Sequence, residues 1–403
     1  MKNFNPTIEL EKRIGNQIYE ALQGEVVEEL MRKTNVSSDD VYMRSRMEGN
    51  CLKVQQDLLP DFYHLCHEVK HKLDFDEAVD FYITGDAEIN AYSISGEGGK
   101  PHIVNLNSGL FNIMNQDELR FVVGHELGHI INRDSKLKHL INFVFPSDDS
   151  QHISLRYKIR LHDQLAELVA DRYGYLATGN QNTCITAFYK MSSGLDLEKM
   201  DVSIDTLLAN NNRALDFFIH DNGMSIYEHP VNPIRVQSLN LFATATSEDE
   251  LNKGMDELIG ILLRGGASEI DEYISRFIVS AGVIVASQNK DHINDDEYKE
   301  IIDTLAGWQI FPREYLDDVV NSGDIYDTFD QTVEKILDID PSKREGLMEY
   351  MIDIVMSDKK ITHDEVKTLY KIGDYLDYSE QEVAQAIAHS IQTKFVPSLE
   401  SIC

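Results

Sequence analysis

The stretch that organises this sequence is Phe121-Val122-Val123-Gly124-His125-Glu126-Leu127-Gly128-His129-Ile130. Upstream of it, Asn115 is a favourable N-cap residue, and Glu118, three residues later, completes the pattern of a capping box. This pattern predicts one helix that begins at Asn115 and runs to about Asn132. Because residues four apart lie on one face of a helix, His125 and His129 direct two imidazole rings toward one point.

Two neutral imidazoles on one rigid helix are suited to bind Zn²⁺. Glu126 lies between them, too close in sequence to become a third ligand easily, but well placed to take a proton from a metal-activated water. Gly124 and Gly128 each cost a helix interior about 1 kcal/mol relative to alanine, so they mark a functional site or very close packing. The alternative interpretation is an amphipathic helix whose histidines face solvent.

A third zinc ligand is available in Leu165-Ala166-Glu167-Leu168-Val169-Ala170-Asp171, on a second predicted helix from about Leu155 to Ala177. Three protein ligands leave the fourth zinc position open for water, and Glu167 supplies the carboxylate. Asp171, one turn later, can accept the second ring N–H of His125 or His129. The alternative interpretation is a solvated acidic pair, which the apolar neighbours disfavour.

The sequence GHELGH, followed downstream by ELVAD, resembles metallopeptidase family forty-eight, the HtpX, Oma and CAAX prenyl protease group. In that family the third ligand is the first glutamate of an ExxAD sequence, which Glu167 matches. Further segments similar to family motifs are Ile89-Asn90-Ala91-Tyr92, Ser108-Gly109-Leu110 before Asp117-Glu118-Leu119, and His229-Pro230 with Arg235. The resemblance covers about residues 55–240. It implies a mostly helical zincin-type domain, one Zn²⁺ per chain, and hydrolysis of peptide or protein substrates.

The resemblance also implies roles for His229 and Arg235, and the residue pattern itself suggests roles for Asn90 and Glu126. His229 is the candidate donor to the developing oxyanion and Arg235 is its organiser, while a plain turn residue is the alternative for His229. Asn90 lies on a predicted edge strand, where an extended peptide could add to the sheet and accept hydrogen bonds from this side chain. Glu126 is the expected general base.

The rest of the chain predicts an α+β fold. Its first 75 or so residues are helical, with an amphipathic pattern over Ile8–Arg32 and a second helix after Pro60. Three strands follow, at Val79–Ile83, Ile89–Ile94 and His102–Leu106, and helices then continue to about Ala243. The polar, acidic residues 246–251 predict a boundary between a metallopeptidase domain at 1–245 and an all-helical domain at 246–403.

The C-terminal region contains an internal repeat, in which Ile284, Ile293 and Glu297 match Ile354, Ile361 and Glu365. It resembles the helical TerB-like (tellurite-resistance) domain, and chance similarity between amphipathic helices is the alternative. Neither acidic loop of the repeat has the ligand spacing of an EF-hand, so no metal is expected there. We expect this region to recruit a protein partner or to regulate access to the site, although a passive scaffold fits the sequence equally well.

Composition excludes several functions. With 37 basic and 69 acidic residues the formal net charge is −32, which disfavours nucleic acid and anionic lipid as partners. The sequence shows neither a signal peptide nor an apolar run of the roughly 20 residues needed to span a bilayer. Where membrane members of the family carry spanning helices, Leu137–Pro146 is only a short apolar patch. The four cysteines form no CxxC pair. We therefore expect a soluble, cytoplasmic relative.

Two other functions compete with that of a zinc endopeptidase. A non-catalytic adaptor could retain the zincin fold for binding, but loss of the base is the expected mark of a dead enzyme and Glu126 is intact. A purely structural zinc site fills all four positions with cysteine or histidine, and no cysteine lies near in sequence.

Overall fold

The computed structural model of this 403-residue chain describes residues 4–34, 38–96, 99–145, 153–220, 230–264, 269–286, 325–355 and 361–394. His229, most of the first repeat copy (287–301) and the loop 356–360 lie outside the described residues. The described residues form two compact units. The first draws on 1–147, Ile159–Phe217 and 228–255, and the second on 148–158, 218–227 and 256–403. The assignment of domains to 1–245 and 246–403 remains a prediction.

The predicted mostly helical α+β fold, with an all-helical C-terminal region, is confirmed. The helices up to residue 264 are α1 (Glu9–Ala21), α2 (Gly24–Thr34), α3 (Ser38–Asn50), α4 (Pro60–Lys72), α5 (Leu110–Ile113), α6 (Gln116–Asn132), α7 (Asp134–Val144), α8 (Ile153–Thr178), α9 (Gln181–Ser193), α10 (Ile204–His220), α11 (Asn232–Thr244) and α12 (Glu248–Arg264). The amphipathic pattern over Ile8–Arg32 therefore forms two helices rather than one.

The break between α1 and α2 has a local cause. Gln23 adopts a left-handed conformation with φ of 53°, which ends the first helix. A Cβ on Gly24 would overlap the ring of Tyr19, so a larger residue at this turn would force that ring to move. Tyr19 also donates a hydrogen bond of 2.8 Å to Glu28 and so ties the two helices together.

The sheet contains the three predicted strands and a fourth. The strands are β1 (Leu52–Lys53), β2 (Val79–Thr84), β3 (Ala91–Ile94) and β4 (His102–Asn107), in the order β1-β2-β4-β3. β2 and β4 run parallel, whereas β1 and β3 are antiparallel to their neighbours. The two-residue β1 is too short to show an alternating pattern. Within the described part of the chain, β3 pairs on one side only, with β4.

Helix α6 begins at the predicted capping box. The Asn115 side chain accepts hydrogen bonds of 3.0 Å from the backbone N–H groups of Asp117 and Glu118, and the Asn115 N–H donates to Glu118 Oε2 at 2.9 Å. The helix ends at Arg133, whose φ of 65° turns the chain so that α7 begins at once with Asp134.

Helices α6 and α8 approach each other closely. A Cβ on Gly124 would lie 2.5 Å from Ala177 Cβ, and a Cβ on Gly128 would lie 3.0 Å from Ala170 Cα. The two glycines therefore allow backbone-to-backbone packing, which accounts for their place in a helix interior. As a result, the histidine-bearing face of α6 lies directly against the helix that carries Glu167.

Beyond residue 264, the regular secondary structure of the described residues is entirely helical. The helices there are α13 (Glu269–Ala286), α14 (Ile325–Ile339), α15 (Arg344–Val355), α16 (His363–Tyr375) and α17 (Glu380–Lys394). They enclose a separate apolar core that includes Phe277, Phe329 and Met351. Glu365, which the predicted repeat matches to Glu297, closes a capping box by accepting a hydrogen bond of 2.7 Å from the Thr362 N–H.

Candidate metal centre

Three side chains that the sequence predicts as ligands converge between α6 and α8. The Nε2 atoms of His125 and His129 are 3.2 Å apart. One carboxylate oxygen of Glu167 lies 3.5 Å from His125 Nε2, and the other lies 3.4 Å from His129 Nε2. His125 and Glu167 are buried, with 6% and 9% of their surface exposed, and His129 is partly buried. The arrangement is a compact triangle of two nitrogens and one carboxylate.

The size of this triangle fits a zinc ion. With zinc–ligand bonds of about 2.0–2.1 Å, two donors of a tetrahedral site stand about 3.3–3.4 Å apart. The three separations of 3.2, 3.4 and 3.5 Å bracket that value. Two imidazoles with one carboxylate are also a donor set that zinc uses in catalytic sites, which leave a fourth position open. The residues present therefore fit the metal that the sequence predicts.

The far side of the His125 ring meets a carboxylate. His125 Nδ1 lies 3.0 Å from Asp171 Oδ1, so the structure brings the predicted outer partner to His125 rather than to His129. Arg235 in turn donates two hydrogen bonds to Asp171, from Nε to Oδ2 at 2.8 Å and from Nη2 to Oδ1 at 2.6 Å. The positive charge of Arg235 offsets the burial of Asp171 and holds the pKa of that carboxyl below its usual range.

The far side of the His129 ring meets a different carboxylate, which the sequence reasoning did not identify. His129 Nδ1 lies 2.9 Å from Asp134 Oδ2, at the first residue of α7. A ligating histidine usually donates its second N–H to an acceptor, so two histidines required two acceptors and only Asp171 had been assigned. The need for a second acceptor, beside His129, was therefore the signal that could have pointed to Asp134. The left-handed turn at Arg133 brings Asp134 into place.

The charges around the triangle leave room for a divalent cation. Glu167, Asp171 and Asp134 carry three negative charges, and Arg235 carries one positive charge in contact with Asp171. Burial alone would lower the pKa of His129, but the negative charges of Glu167 and Asp134 raise it well above the ordinary range. The site thus attracts positive charge, and one Zn²⁺ bound by neutral imidazoles would offset part of the excess negative charge of these carboxylates.

The other predicted site residues are more dispersed. Glu126 is buried on α6, immediately after His125. Asn90 is exposed directly before β3, where its side-chain oxygen accepts a hydrogen bond of 2.9 Å from the Ala91 N–H. Arg235 binds Asp171, whereas the predicted contact of Arg235 with His229 lies outside the described residues. Its guanidinium also stacks over the Phe188 ring at 4.7 Å.

One segment of the chain matches a known protein family. Residues 64–146 match the model of Peptidase family M48. This segment contains His125, Glu126 and His129, and it ends before Glu167. The match supports a metallopeptidase, in agreement with the family resemblance of the sequence motifs.

Individual relatives give the same indication over different lengths. The plastoglobule-localized metallopeptidase 48 of Arabidopsis thaliana chloroplasts is 23% identical over 59% of this chain and 69% of its own length. A Protease HtpX homolog of Streptococcus mutans is 31% identical over 22% of this chain and 29% of its own, and one of Thermoanaerobacter pseudethanolicus is 30% identical over 21% and 29%. The chain thus spans less than a third of these HtpX relatives. No solved structure matches the chain.

Some members of the family that the motifs resemble carry membrane-spanning helices. Among the described residues, every helix falls short of the length or the apolar character that crossing a bilayer requires. Of the predicted apolar patch, Leu137–Val144 lies in α7, which is 11 residues long.

Proposed function

We propose that this chain is a zinc-dependent endopeptidase whose metal is held by His125, His129 and Glu167. One observation carries the proposal: two imidazole nitrogens and one carboxylate converge at separations of 3.2–3.5 Å, which suit tetrahedral zinc, and each imidazole also meets a second carboxylate of its own. Metal-ligating histidines in proteins have this arrangement, whereas solvent-facing histidines on an amphipathic helix do not need it. The match to Peptidase family M48 supports the same reaction class.

The chemistry follows from the roles of the individual side chains. When bound, the zinc would supply Lewis-acid activation of water and of the scissile carbonyl. Asp171 and Asp134 keep the Nδ1 protons of His125 and His129 in place, so that both Nε2 lone pairs face the ion. Glu126 accepts a proton from the attacking water and returns a proton to the leaving amine.

Substrate binding is proposed at the exposed edge of the sheet. In the described part of the chain, β3 has a partner strand on one side only, and an extended peptide can pair with the other. Asn90 stands at the start of that edge and is our candidate for a hydrogen bond to substrate backbone. His229 is proposed as a donor to the developing oxyanion through the family resemblance. The proposed substrates are peptides or proteins.

The proposal is tested with Glu126→Gln. The isosteric amide cannot accept a proton, so we expect hydrolysis of casein or of a peptide library to fall by roughly 10³-fold. Zinc content, measured by elemental analysis, should stay at one ion per chain. A matched control is Glu9→Gln, which changes an exposed glutamate at the start of α1 in the same way.

Three outcomes would count against the proposal. Loss of zinc together with activity in Glu126→Gln would show that the ligands are misassigned. Unchanged hydrolysis in Glu126→Gln would show that Glu126 is not the general base. A wild-type protein that binds one zinc but cleaves no peptide would favour the non-catalytic adaptor. The cytoplasmic location and a partner for the C-terminal helical region stay predictions.

A further inference from the structure

The N-terminal helix α1 reaches the carboxylate that backs His129. Glu11, on the first turn of α1, has only 3% of its surface exposed. The side-chain amide of Asn132 donates to Glu11 Oε1 at 3.1 Å and to Asp134 Oδ1 at 2.8 Å. The other oxygen of Asp134 is the one that meets His129 Nδ1, at 2.9 Å. A continuous chain of hydrogen bonds thus links Glu11 to a candidate metal ligand.

Glu11 is itself held in place by a buried partner. His162 on α8, with 4% of its surface exposed, places Nε2 at 3.1 Å from Glu11 Oε1. Burial alone would lower the pKa of His162, but hydrogen bonds to Asp163 and Glu11 raise it to about 10. The imidazole is therefore protonated at neutral pH. It fixes the Glu11 carboxylate, since breaking a buried ion pair leaves an uncompensated charge.

The segment just before α1 is attached to α8 as well. Arg172, which has 2% of its surface exposed, directs Nη1 toward the backbone oxygens of Pro6 at 3.2 Å and Thr7 at 3.4 Å. Arg172 directly follows Asp171, the carboxylate that backs His125. Residues 6–11 are thus anchored to α8, which carries Asp171, and to Asn132 at the end of α6, whose amide also donates to Asp134.

We propose that Glu11 is a positioning residue of the metal centre: it fixes Asp134 through the Asn132 amide and thereby orients His129. The inference rests on the proposed function, because it assumes that His129 binds the metal. The orientation of a ligating imidazole is set by the acceptor of its second N–H, and losing such an acceptor typically costs about 10–100-fold in metal affinity. Glu11 acts two hydrogen bonds beyond the acceptor Asp134, so its effect lies at the low end of that range.

The test measures zinc affinity by competition with a chromophoric chelator, and ligand geometry by the visible absorption of the cobalt-substituted protein. We expect Glu11→Ala to weaken zinc binding about tenfold and to change the cobalt spectrum. Glu11→Gln keeps an acceptor for the Asn132 amide, so its affinity should stay within about threefold of the wild type. Asn132→Ala interrupts the same path and should weaken zinc binding as much as Glu11→Ala does. If Glu11→Ala does not fold, Asn132→Ala tests the inference in its place.

Two controls separate positioning from general stability. Glu9→Ala removes an exposed carboxylate from the same helical turn and should leave zinc affinity unchanged. Ile18→Ala removes a fully buried side chain from the far end of α1, so it lowers the thermal midpoint without touching the hydrogen-bond path. If Ile18→Ala weakens zinc binding as much as Glu11→Ala does, the role of Glu11 is merely structural and the inference is wrong.

A double-mutant cycle tests the path itself. If Glu11 acts through Asn132, the double variant should bind zinc no more weakly than Asn132→Ala alone, whereas independent effects would add. Wild-type zinc affinity in Glu11→Ala would overturn this inference and leave the proposed function intact. Zinc binding that stays at the wild-type level in His129→Ala would overturn both this inference and the proposed function.

Discussion

At the scale of single residues, the two candidate histidine ligands are supported in different ways. Asp171 behind His125 is clamped by two charge-assisted hydrogen bonds from the buried Arg235. Asp134 behind His129 receives its second hydrogen bond from the neutral amide of Asn132. Orientation of His125 therefore depends on one buried ion pair, and orientation of His129 depends on a longer chain of partners.

This difference leads to a prediction for Arg235→Met. Removing the guanidinium leaves the Asp171 carboxylate buried without its counter-charge, so we expect the free energy of unfolding to fall by about 3 kcal/mol or more. Zinc affinity should fall as well, by about tenfold, because Asp171 no longer fixes the His125 ring. Urea unfolding and chelator competition measure the two effects.

The matched control is Arg120→Met on the first turns of α6. Arg120 pairs with Asp117 at 2.7 Å and with Glu68 at 3.2 Å, and both carboxylates are largely exposed. Surface pairs of this kind contribute about 0–1 kcal/mol, so the control should change stability little and zinc affinity not at all. Equal losses in Arg235→Met and Arg120→Met would contradict the role given to Arg235.

At the scale of elements, the sequence predicted features set by neighbouring residues better than it predicted long-range contacts. The capping box at Asn115 and the histidine pair could be read from adjacent residues, and the structure shows the helix they predict. The contact of Glu11 with Asn132 joins positions 121 residues apart, and no local pattern records it. The break at Gln23 was missed because the apolar spacing continues across it, although the backbone there is left-handed.

The close approach of α6 and α8 gives a prediction for Gly124→Ala. Alanine favours a helix by about 1 kcal/mol over glycine, but here its Cβ would overlap Ala177 at 2.5 Å. We expect the overlap to dominate and the free energy of unfolding to fall by about 1–3 kcal/mol. Gly49→Ala is the control, because Gly49 lies in α3 with nothing within 4 Å of the added Cβ.

The expected signs are opposite in the two variants. Gly49→Ala should gain up to about 1 kcal/mol from helix propensity alone. Both free energies are measured by urea unfolding under the same conditions. Stabilisation by Gly124→Ala would mean that α6 and α8 do not pack at this distance. It would also mean that this packing does not hold Glu167 against the histidines.

At the scale of the whole molecule, each compact unit has an apolar core of its own. One core includes Phe121, Leu127 and Phe188 around α6, and the other includes Phe277 and Phe329. All three candidate ligands belong to the first unit. A metal that binds only the folded first unit should stabilise that unit and leave the second unchanged.

Calorimetry tests this expectation. We expect two unfolding transitions, of which only one moves when zinc is added. Zinc at about 100 times its dissociation constant should raise the free energy of unfolding of that unit by about 2.7 kcal/mol, and a chelator should reverse the change. His125→Ala is the control variant, and its transitions should not respond to zinc. A zinc-dependent shift of the other transition would place the metal site elsewhere in the chain.

The central claim is that His125, His129 and Glu167 enclose one metal ion. Anomalous diffraction at the zinc edge, from crystals of the zinc-loaded protein, tests it most directly. We predict a single peak about 2.0–2.2 Å from both Nε2 atoms and from a carboxylate oxygen of Glu167. A peak bound by other side chains, or a Glu167 carboxylate turned away from the imidazole pair, would contradict the account.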